Sequence, residues 1–537
     1  MKKRQVAMSI TLAAALATVP VLSGCSGDHY GSISFAAQDT SYAVTSQGGS
    51  AVAYGNYVYF INGTRGYDDT DGKANVWDEV VKGALYRAEF NGEKYEDADG
   101  LTKFRPTLDA DGLEFKYTDS TDYFDEPIKV VDVDKIAPKT IGTSGYGRGG
   151  IFIYDDYVYF ASPNNQKNSV GTVQTTRTDF FMMPLSGGKP VKLYTTSEGV
   201  DTSAAAYAFY KYGDSVYLIA NEGGNIISVR INTAKGKADD PVKFEVNATS
   251  VYFPVRDVYY NGISTDTPED FIYFVRGVDE DKDKLKTGTV IEAMRPDGSE
   301  KFVVRATDGT DTIEAVRDGL LFFRTPVVTS SGSVTQIMYT NLHNQLMEYS
   351  PSYAAAHADD NGTAHISENF VTEISSSITS TYAFRPDKNS NDAYLIAATE
   401  SALTLYSPNG SGRTLYSGKA TPQFVQGNYL YFAGSSNDYY KVALWENMDD
   451  YKDGAKKFVA TSAAAGISCD YAAGYFTYFA EVDQWASAYT YFYKADGVKI
   501  YDDETEDDKL PKGQFVGLRA SADIPTEEQI KEAKGEE

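Results

Sequence analysis

The fold of this chain follows from ten residues, Ile151-Phe152-Ile153-Tyr154-Asp155-Asp156-Tyr157-Val158-Tyr159-Phe160. The aromatic and β-branched residues on either side of the two aspartates favour β-strands. Asp tolerates the positive φ angles that a two-residue hairpin turn requires. The stretch therefore predicts two antiparallel strands joined by a tight turn at Asp155-Asp156.

The second strand of this hairpin recurs along the chain, mostly at intervals of about 40 to 60 residues, a range that includes propeller blades. A second hairpin follows in most units, as at Asp297-Gly298 and Asn409-Gly410. Two hairpins make four antiparallel strands, so the pattern predicts an all-β chain, a β-propeller of eight, alternatively seven, four-stranded blades. The eight copies lie at residues 57–60, 157–160, 215–218, 271–274, 320–323, 393–396, 429–432 and 476–479.

The predicted propeller covers residues 50–519. We expect an early strand within the tether 25–49, at Ser32–Phe35 or Tyr42–Val44, to complete a blade begun near Gln514–Leu518. Such closure would remove exposed sheet edges.

Three ranges depart from the repeat. The acidic, Gly-rich range 64–150 and the Ser- and Ala-rich range 345–381 are expected to form insertions on the propeller rim. Loops on a rigid scaffold often carry binding, so both are candidate contact surfaces, with tolerated insertion without function as the alternative. The range 520–537 reads as a short helix or a disordered tail.

The composition limits the function classes. The 537 residues carry a net charge of −26, which argues against a nucleic-acid partner and against docking onto anionic lipid by charge. Cys25 and Cys469 are the two cysteines, so a dense disulfide framework is excluded. Cys469 is expected to pack as a small apolar residue.

The first 24 residues read as a signal peptide. Lys2, Lys3 and Arg4 precede an apolar run from Val6 to Val21, and small residues follow. This order of basic start, apolar run and small residues is typical of a secretory signal. The apolar run is too short for a membrane-spanning helix, which needs about 20 residues.

The end of this segment, Leu22-Ser23-Gly24-Cys25, resembles the lipobox of bacterial lipoproteins. The resemblance implies cleavage before Cys25, a diacylglycerol on its sulfur and palmitate-type acylation. The mature protein would then be extracytoplasmic and lipid-anchored to a bacterial cell membrane. Cys25 is the one functional residue that the resemblance supplies.

The Tyr-Val-Tyr-Phe strands and their Asn-Gly or Asp-Gly turns are similar to the uncharacterised β-propeller repeats of Gram-positive-type lipoproteins. They are more distantly similar to YWTD and TolB-type propellers. The resemblance covers roughly residues 50–500 and implies a fold without implying a function.

The search for chemistry yields two weak calcium candidates. One is Tyr67–Gly72, in which Tyr67 stands where an EF-hand requires the first Asp. In the other, Asp279, Asp281 and Asp283 alternate as the oxygen ligands of calcium often do, although Lys284 stands where an EF-hand requires Gly. A solvated acidic turn is the alternative. No other cofactor is expected, and the four histidines lack the helical spacing of a zinc hydrolase.

These features predict a non-catalytic scaffold that binds a protein or a glycan partner at the cell envelope, with no catalytic residue assigned. The alternative is an envelope enzyme that acts on carbohydrate, with carboxylates at the mouth of the propeller channel. Carboxylates clustered beside exposed aromatic residues at one channel end would favour the enzyme.

Overall fold

The computed structural model describes part of the chain, and every structural statement below concerns that part. The signal peptide 1–24, Cys25, the two candidate closing strands, the calcium candidate Tyr67–Gly72, Cys469 and the tail 520–537 lie outside it. The described residues are 47–48, 51–54, 57–61, 85–89, 92–96, 102–106, 128–131, 150–163, 178–185, 190–197, 207–254, 271–317, 319–330, 332–356, 369–374, 378–386, 393–426, 428–435, 439–459, 470–472, 475–481, 488–494 and 514–515.

Eight antiparallel sheets of four or five strands occur in the described residues, numbered here in chain order. Sheet 1 contains β1 (Ala51–Tyr54), β2 (Tyr57–Ile61), β3 (Leu85–Glu89) and, after a separate hairpin of β4 (Gly92–Glu96) and β5 (Thr102–Pro106), β6 (Ile128–Val131). Sheet 2 contains β7 (Phe152–Tyr154), β8 (Tyr157–Pro163), β9 (Thr178–Pro184) and β10 (Val191–Thr195). Sheet 3 contains β11 (Tyr207–Tyr212), β12 (Ser215–Glu222), β13 (Asn225–Asn232), β14 (Lys237–Ala238) and β15 (Val242–Phe244), the last two both pairing with β13. Sheet 4 contains β16 (Ala248–Tyr252), β17 (Ile272–Gly277), β18 (Thr289–Met294) and β19 (Phe302–Thr307).

The second half of the chain repeats this order. Sheet 5 contains β20 (Thr312–Arg317), β21 (Leu320–Thr329), β22 (Gly332–Asn341) and β23 (Asn369–Ile374). Sheet 6 contains β24 (Ile378–Phe384), β25 (Tyr394–Thr399), β26 (Ala402–Tyr406) and β27 (Gly412–Ser417). Sheet 7 contains β28 (Ala420–Gln426), β29 (Tyr429–Gly434), β30 (Tyr439–Ala443) and β31 (Lys456–Val459). Sheet 8 contains β32 (Asp470–Ala472), β33 (Tyr475–Glu481), β34 (Ala488–Lys494) and β35 (Gln514–Phe515).

Helices are short and lie in the connections. They are α1 (Glu280–Asp283), α2 (Leu342–Tyr349) and α3 (Pro351–Ala356), together with 3₁₀ turns at Thr233–Lys235 and Tyr451–Asp453. Within the described ranges, none is long and apolar enough to cross a membrane.

The predicted repeat is confirmed, because each of its eight copies lies in the second strand of a sheet. The reason is visible in β8. Val158 and Phe160 pack in a cluster with Val52 of sheet 1, whereas the alternate residue Tyr159 packs with Phe209 of sheet 3. Successive side chains of a strand point to opposite faces, so a strand buried on both faces needs a continuous apolar run.

The predicted hairpin turn is also confirmed. Asp155 and Asp156 have φ angles of 51° and 62°, as a two-residue turn with both central residues left-handed requires. Gly213, at the equivalent turn of sheet 3, has a φ angle of 58°. Turn chemistry therefore sets the register of these hairpins.

Neighbouring sheets pack face to face. Apolar clusters join sheet 1 to sheet 2, sheets 2, 3 and 4 to one another, sheet 4 to sheet 5, and sheet 5 to sheet 6. Tyr416 of sheet 6 and Phe432 of sheet 7 have ring centroids 4.9 Å apart. The strand β1 also lies against β32, so the first sheet meets the last. This serial packing of four-stranded meanders is that of a β-propeller.

The two predicted insertions are partly built from sheet strands. The range 64–150 contributes β3 and β6 to sheet 1 and holds the separate hairpin of β4 and β5. The range 345–381 contains most of α2, all of α3, and β23 of sheet 5. The hairpin of β4 and β5 and the two helices therefore each lie between the third and fourth strands of a sheet.

The prediction for the strand near Gln514–Leu518 needs correction. Gln514 and Phe515 pair with Phe492 and Tyr491, so β35 is the fourth strand of sheet 8. Sheet 8 obtains its four strands from the C-terminal part of the chain alone. It does not need the N-terminal strand that we expected to complete it.

Candidate functional site

The strand order divides the molecule into two faces. In each sheet the first strand begins at one end of the sheet and finishes at the other, where a turn leads into the second strand. The second strand then runs back to the end at which the first strand began. We call the end where first strands begin the upper face; the turns between second and third strands share it. We call the opposite end the lower face, which holds the turns between first and second strands and the connections between third and fourth strands.

Contacts between neighbouring sheets show that their lower faces coincide. The hydroxyl of Tyr54, at the end of β1, donates a hydrogen bond to Oδ1 of Asp156 in the first turn of sheet 2 at 3.0 Å. Lys211, near the end of β11, forms an ion pair with Asp155 in that same turn. Arg317, at the end of β20, donates to the carbonyl of Ala383 at 2.7 Å. The lower face is thus a surface to which several sheets contribute.

The largest described feature of the lower face is the helical insertion, residues Leu342–Ala356, which comprises α2 and α3 between β22 and β23. Oδ1 of Asn341 accepts a hydrogen bond from the amide of His343 at 2.8 Å and caps α2. Ser350 separates the helices, and Pro351 opens α3, where its missing N–H is not needed. Local sequence therefore sets both helix starts.

One side of the helical insertion is buried against sheets 4 and 5. Leu342, Leu346 and Tyr353 pack in a cluster with Phe302 of β19 and Phe323 of β21. The ring of His343 adds a polar link between the helices, because its Nδ1 lies 2.8 Å from the hydroxyl of Tyr353. The helical insertion is therefore held as one piece on the lower face.

The helical insertion also covers the outer edge of sheet 4. Val304 lies at an irregularity in the pairing of β18 with β19, and its carbonyl accepts a hydrogen bond from Nε2 of Gln345 at 3.0 Å. Covering an edge strand in this way reduces its tendency to pair with other chains.

Four side chains fasten the helical insertion to the turn between β18 and β19, and we call them the latch: Arg295, Glu300, Ser350 and Ser352. Oε2 of Glu300 accepts hydrogen bonds from the hydroxyls of Ser350 at 2.6 Å and Ser352 at 2.8 Å, and Oε1 accepts from the amide of Ser352 at 2.9 Å. Nε of Arg295 lies 2.8 Å from Oε2 of Glu300. Burial opposes ionisation of Glu300, but the bonds from Ser350, Arg295 and Ser352 prevail and lower its pKa to about 2.

Arg295 also ties three sheets together. Its side chain is 6% exposed, and its guanidinium carbon lies 3.8 Å from the ring centroid of Phe271 and 5.0 Å from that of Tyr212. Tyr212 ends β11 of sheet 3, Phe271 precedes β17 of sheet 4, and Glu300 joins Arg295 to sheet 5. Such cation–π contacts add to the ion pair when water is excluded.

The surface that the latch holds in place is apolar and aromatic. Tyr349 is 46% exposed and stacks on Phe302, with ring centroids 5.7 Å apart. Val303, the next residue of β19, is 42% exposed. Val303 faces the side of sheet 4 opposite to Phe302, because successive side chains of a strand alternate. An exposed tyrosine on a fastened support suits contact with another macromolecule. Tyr349 and Val303 lie on either side of the outer strand β19, near its start on the lower face, and we call these two candidate contact residues the contact patch.

The three alternating aspartates are not brought together as calcium ligands. Asp279 caps α1 and accepts a hydrogen bond from the amide of Asp281 at 3.2 Å. Asp283 instead forms two hydrogen bonds with Arg276, at 2.7 and 2.8 Å. Arg276 chiefly accounts for the lowering of the pKa of Asp283 to about 2. In the part of the chain that is described, no group of three His, Cys, Asp or Glu residues could hold a metal ion.

Three buried carboxylates, Glu292, Asp311 and Asp179, form ion pairs with Arg or Lys side chains. Glu292 pairs with Arg276 and Lys301 at 2.8 Å each, and these bonds outweigh burial and lower its pKa. Asp311 pairs with Arg305 at 2.6 Å and Asp179 with Lys192 at 2.8 Å. A general acid for sugar cleavage needs a carboxyl group whose pKa is raised, so the lowered pKa of Glu292 does not suit that role.

The sequence reasoning missed the latch and the two helices. A signal for the helices was present, because Ser350-Pro351 combines a capping residue with proline at the first helical position. Leu342 and Leu346 are one helical turn apart and mark a buried face. The pairing of Glu300 with Ser350 joins residues far apart in sequence and had no local signal.

Comparison with known proteins gives a structural likeness without a family. No family model and no curated protein matches the chain.

A Dos1 propeller structure is similar over 83% of this chain and 93% of its own, at 10% identity and a TM-score of 0.38. An oligogalacturonate lyase in complex with manganese matches 76% of this chain and 97% of its own, at 11% identity and a TM-score of 0.37. Kluyveromyces lactis Hsv2 matches 63% of this chain and 94% of its own, at 8% identity and a TM-score of 0.31. With scores this low, the assignment of the fold rests on the sheets themselves.

Proposed function

We propose that this protein is an extracytoplasmic lipoprotein, anchored to a bacterial membrane through Cys25, whose propeller is a non-catalytic scaffold that captures a protein partner. The observation that carries the binding role is the contact patch, which consists of Tyr349 on the helical insertion fastened by the latch and Val303 on β19. Because this support is rigid, a partner would not need to order it on binding.

The scaffold is a closed ring of eight blades in this proposal. Support comes from the eight sheets of the described residues and from the contact of β1 with β32. End-on class averages from electron microscopy of the purified protein should show eight lobes. Seven lobes, or an open arc, would overturn the closed eight-bladed ring.

Anchoring is supported by the sequence Leu22-Ser23-Gly24-Cys25. Mass spectrometry of the mature N-terminus should find Cys25 carrying a diacylglycerol and palmitate-type chains, which together would hold the protein stably on a membrane. The Cys25→Ala variant should move to the soluble fraction. An unmodified Cys25 in membrane-associated protein would contradict the anchor.

Partner capture is tested by crosslinking on intact cells, affinity purification of the lipidated protein and mass spectrometry. Tyr349→Ala and Val303→Asp should each reduce recovery of the same partner by about tenfold, the effect of losing one central contact residue. Val242→Asp is the matched control, because Val242 is a 52% exposed valine on an outer strand of another sheet. Equal recovery with all three variants would exclude the contact patch. A glycan partner would instead appear as patch-dependent binding to envelope polysaccharide without a crosslinked protein.

A further inference from the structure

The second feature that breaks the regularity of sheet 5 lies on the upper face. The strands β21 and β22 are longer than their neighbours, and they pair with each other as far as Thr329 and Gly332. The two flanking strands stop earlier. The pairing of β20 with β21 ends at Arg324 of β21, and the pairing of β23 with β22 ends at Thr335 of β22. The rows Val327–Val334, Val328–Ser333 and Thr329–Gly332 therefore extend as a two-stranded ribbon about 10 Å beyond the four-stranded body, at about 3.3 Å per residue.

This ribbon, residues Val327–Thr329 and Gly332–Val334, carries one strongly exposed apolar side chain, that of Val328, among Ser, Thr and Gly residues. Val328 is 87% exposed, the most exposed large hydrophobic residue of the described chain, and Pro326 beside it is also exposed. A single exposed valine is ordinary. This valine differs in its position, because a side chain near the end of a projecting ribbon is among the first groups to meet an approaching surface.

The ribbon is also uncharged within a strongly acidic protein. No Asp, Glu, Lys or Arg occurs from Thr325 to Met347, although the net charge of the chain is −26. Equivalent connections of other sheets on the upper face carry charge, as in Glu280–Lys284 of sheet 4 and Glu400 of sheet 6. An anionic membrane repels those carboxylates, and the ribbon extends beyond the sheet body on this face.

The N-terminal segment reaches the propeller on this same face. The amide of Gly48 donates to the carbonyl of Ile151 at 2.8 Å, and the side chain of Gln47 bonds both backbone groups of Ile153. Gly48 therefore lies where the first strand of sheet 2 begins, and the side chain of Gln47 reaches Ile153 in the middle of β7.

Hydrogen bonds between neighbouring sheets, from sheet 2 to sheet 5, show that their upper faces coincide. The amide of Gly150 donates to the hydroxyl of Tyr207 at the start of β11 at 3.3 Å. The amide of Ala248, which begins β16, donates to Gly224 in the turn between β12 and β13 at 2.7 Å. The amide of Asp311, just before β20, donates to Oγ1 of Thr289 at 2.8 Å. Gly48, the start of the first strands and the ribbon are therefore at the same end of the sheets.

We infer that the ribbon is a second membrane contact, and that its tip at Val328 rests in the interface of the bilayer to which Cys25 is anchored. The inference rests on the proposed anchor and the proposed ring of eight. In that ring, sheet 5 lies opposite sheet 1, so the tether and the ribbon hold the upper face to the membrane at opposite sides. The chain from Cys25 to Gln47 spans at most about 75 Å and permits other orientations, so the ribbon selects this one.

This orientation turns the lower face, with its contact patch, away from the membrane. Interfacial elements bury their apolar side by about 5 to 10 Å, which matches the reach of the ribbon. The tether supplies most of the attachment, and the ribbon sets the orientation.

The test uses the full lipidated chain in phosphatidylcholine vesicles that contain a nitroxide-labelled lipid. Val328→Cys, in a Cys469→Ala background, carries an environment-sensitive fluorophore. Ser401→Cys in a short upper-face turn and Asn447→Cys on the lower face are the matched positions, since both residues are exposed. We expect the lipid-borne quencher to reduce emission at position 328 by at least about twofold, with a smaller loss at 401 and none at 447.

Vesicle flotation separates the two ways to fail. If the wild type floats with the vesicles and Cys25→Ala does not, the anchor at Cys25 stands. If the labels at 328 and 447 are then equally unquenched, the membrane contact of the ribbon is overturned. If the wild type does not float, the anchor is overturned and the ribbon contact with it. Protection of the 328 label in detergent without lipid, or dimers linked through that position, would assign the ribbon to a second copy of the chain and overturn the membrane contact.

Discussion

Sheet 5 departs from the regular blade at both of its ends, and the two departures are built differently. On the lower face the helical insertion is held by distant residues, with Glu300 of sheet 4 binding Ser350 and Ser352. On the upper face the ribbon is held by backbone pairing within one hairpin. The comparison shows that a surface feature fastened by tertiary contacts depends on the rest of the fold, whereas one made by local pairing can change without disturbing it.

The largest effect on stability is expected from the removal of Arg295, which tests whether tertiary contacts hold the helical insertion. Arg295→Ala leaves Glu300 partly buried without its cation and removes the contact with Phe271, so we expect a loss of about 3 kcal/mol in the free energy of unfolding. Urea unfolding measures it. Lys243→Ala, which breaks an exposed ion pair with Glu245, should change stability by under about 0.5 kcal/mol. Equal losses in the two variants would show that the latch does not stabilise the fold.

Glu300→Gln isolates the charge of the latch. The amide keeps much of the shape and loses the ion pair, so we expect a loss of about 1 to 2 kcal/mol at neutral pH. The folded pKa of Glu300 is about 2, below its ordinary 4.5. A carboxyl group with a lowered pKa stabilises the fold above its unfolded pKa and loses that contribution as pH falls through the folded value.

The difference in unfolding free energy between the wild type and Glu300→Gln should therefore shrink as pH falls from about 5 to about 2. Denaturant titrations at several pH values measure it. Other acids titrate in both proteins and cancel in the difference. A gap that stays constant over this range would show that the ionised form of Glu300 is not what fastens the helical insertion.

Tyr349→Ala tests the exposed end of the helical insertion. The side chain is half exposed and stacks on Phe302, so its loss should lower the urea midpoint by much less than the loss of Arg295. Tyr349→Phe keeps the ring and should leave the midpoint unchanged. If Tyr349→Ala instead destabilised as much as Arg295→Ala, the tyrosine would be part of the support and not a free contact surface.

The smallest expected effect belongs to the ribbon. Val328→Ser should change the free energy of unfolding by no more than about 0.5 kcal/mol, as for surface residues away from packed features, because Val328 is 87% exposed. Thermal unfolding measures it. A clear loss of stability would mean that the tip packs against the protein, and the contrast between the two ends of sheet 5 would disappear.

Much of the fold was predictable because its signals are local. The Tyr-Val-Tyr-Phe strands are apolar on both faces, and turn residues such as Asp155 and Asp156 specify the hairpins beside them. The same reasoning misplaced the partner of the strand at Gln514, because strand pairing depends on which edge is open. It also treated the range 64–150 as an insertion, although β3 and β6 belong to sheet 1.

The candidate site was predictable only as a region. The range 345–381 was expected to hold a contact surface, and it contains Tyr349 and two residues of the latch. The calcium candidates illustrate the limit of spacing arguments. Alternating aspartates fit a ligand loop, but a nearby arginine on β17, Arg276, binds Asp283 instead.

By itself the sequence determined the strand repeat and the hairpin turns, and it supplies the lipobox-like motif behind the proposed anchor at Cys25, because each depends on residues adjacent in the chain. The tertiary structure decided which sheets meet, how Glu300 fastens the helical insertion, and that Gly48 and the ribbon lie at the same end of the sheets. Those features join residues distant in sequence. Their energies come from burial and from charge pairing across sheets, which no local pattern encodes.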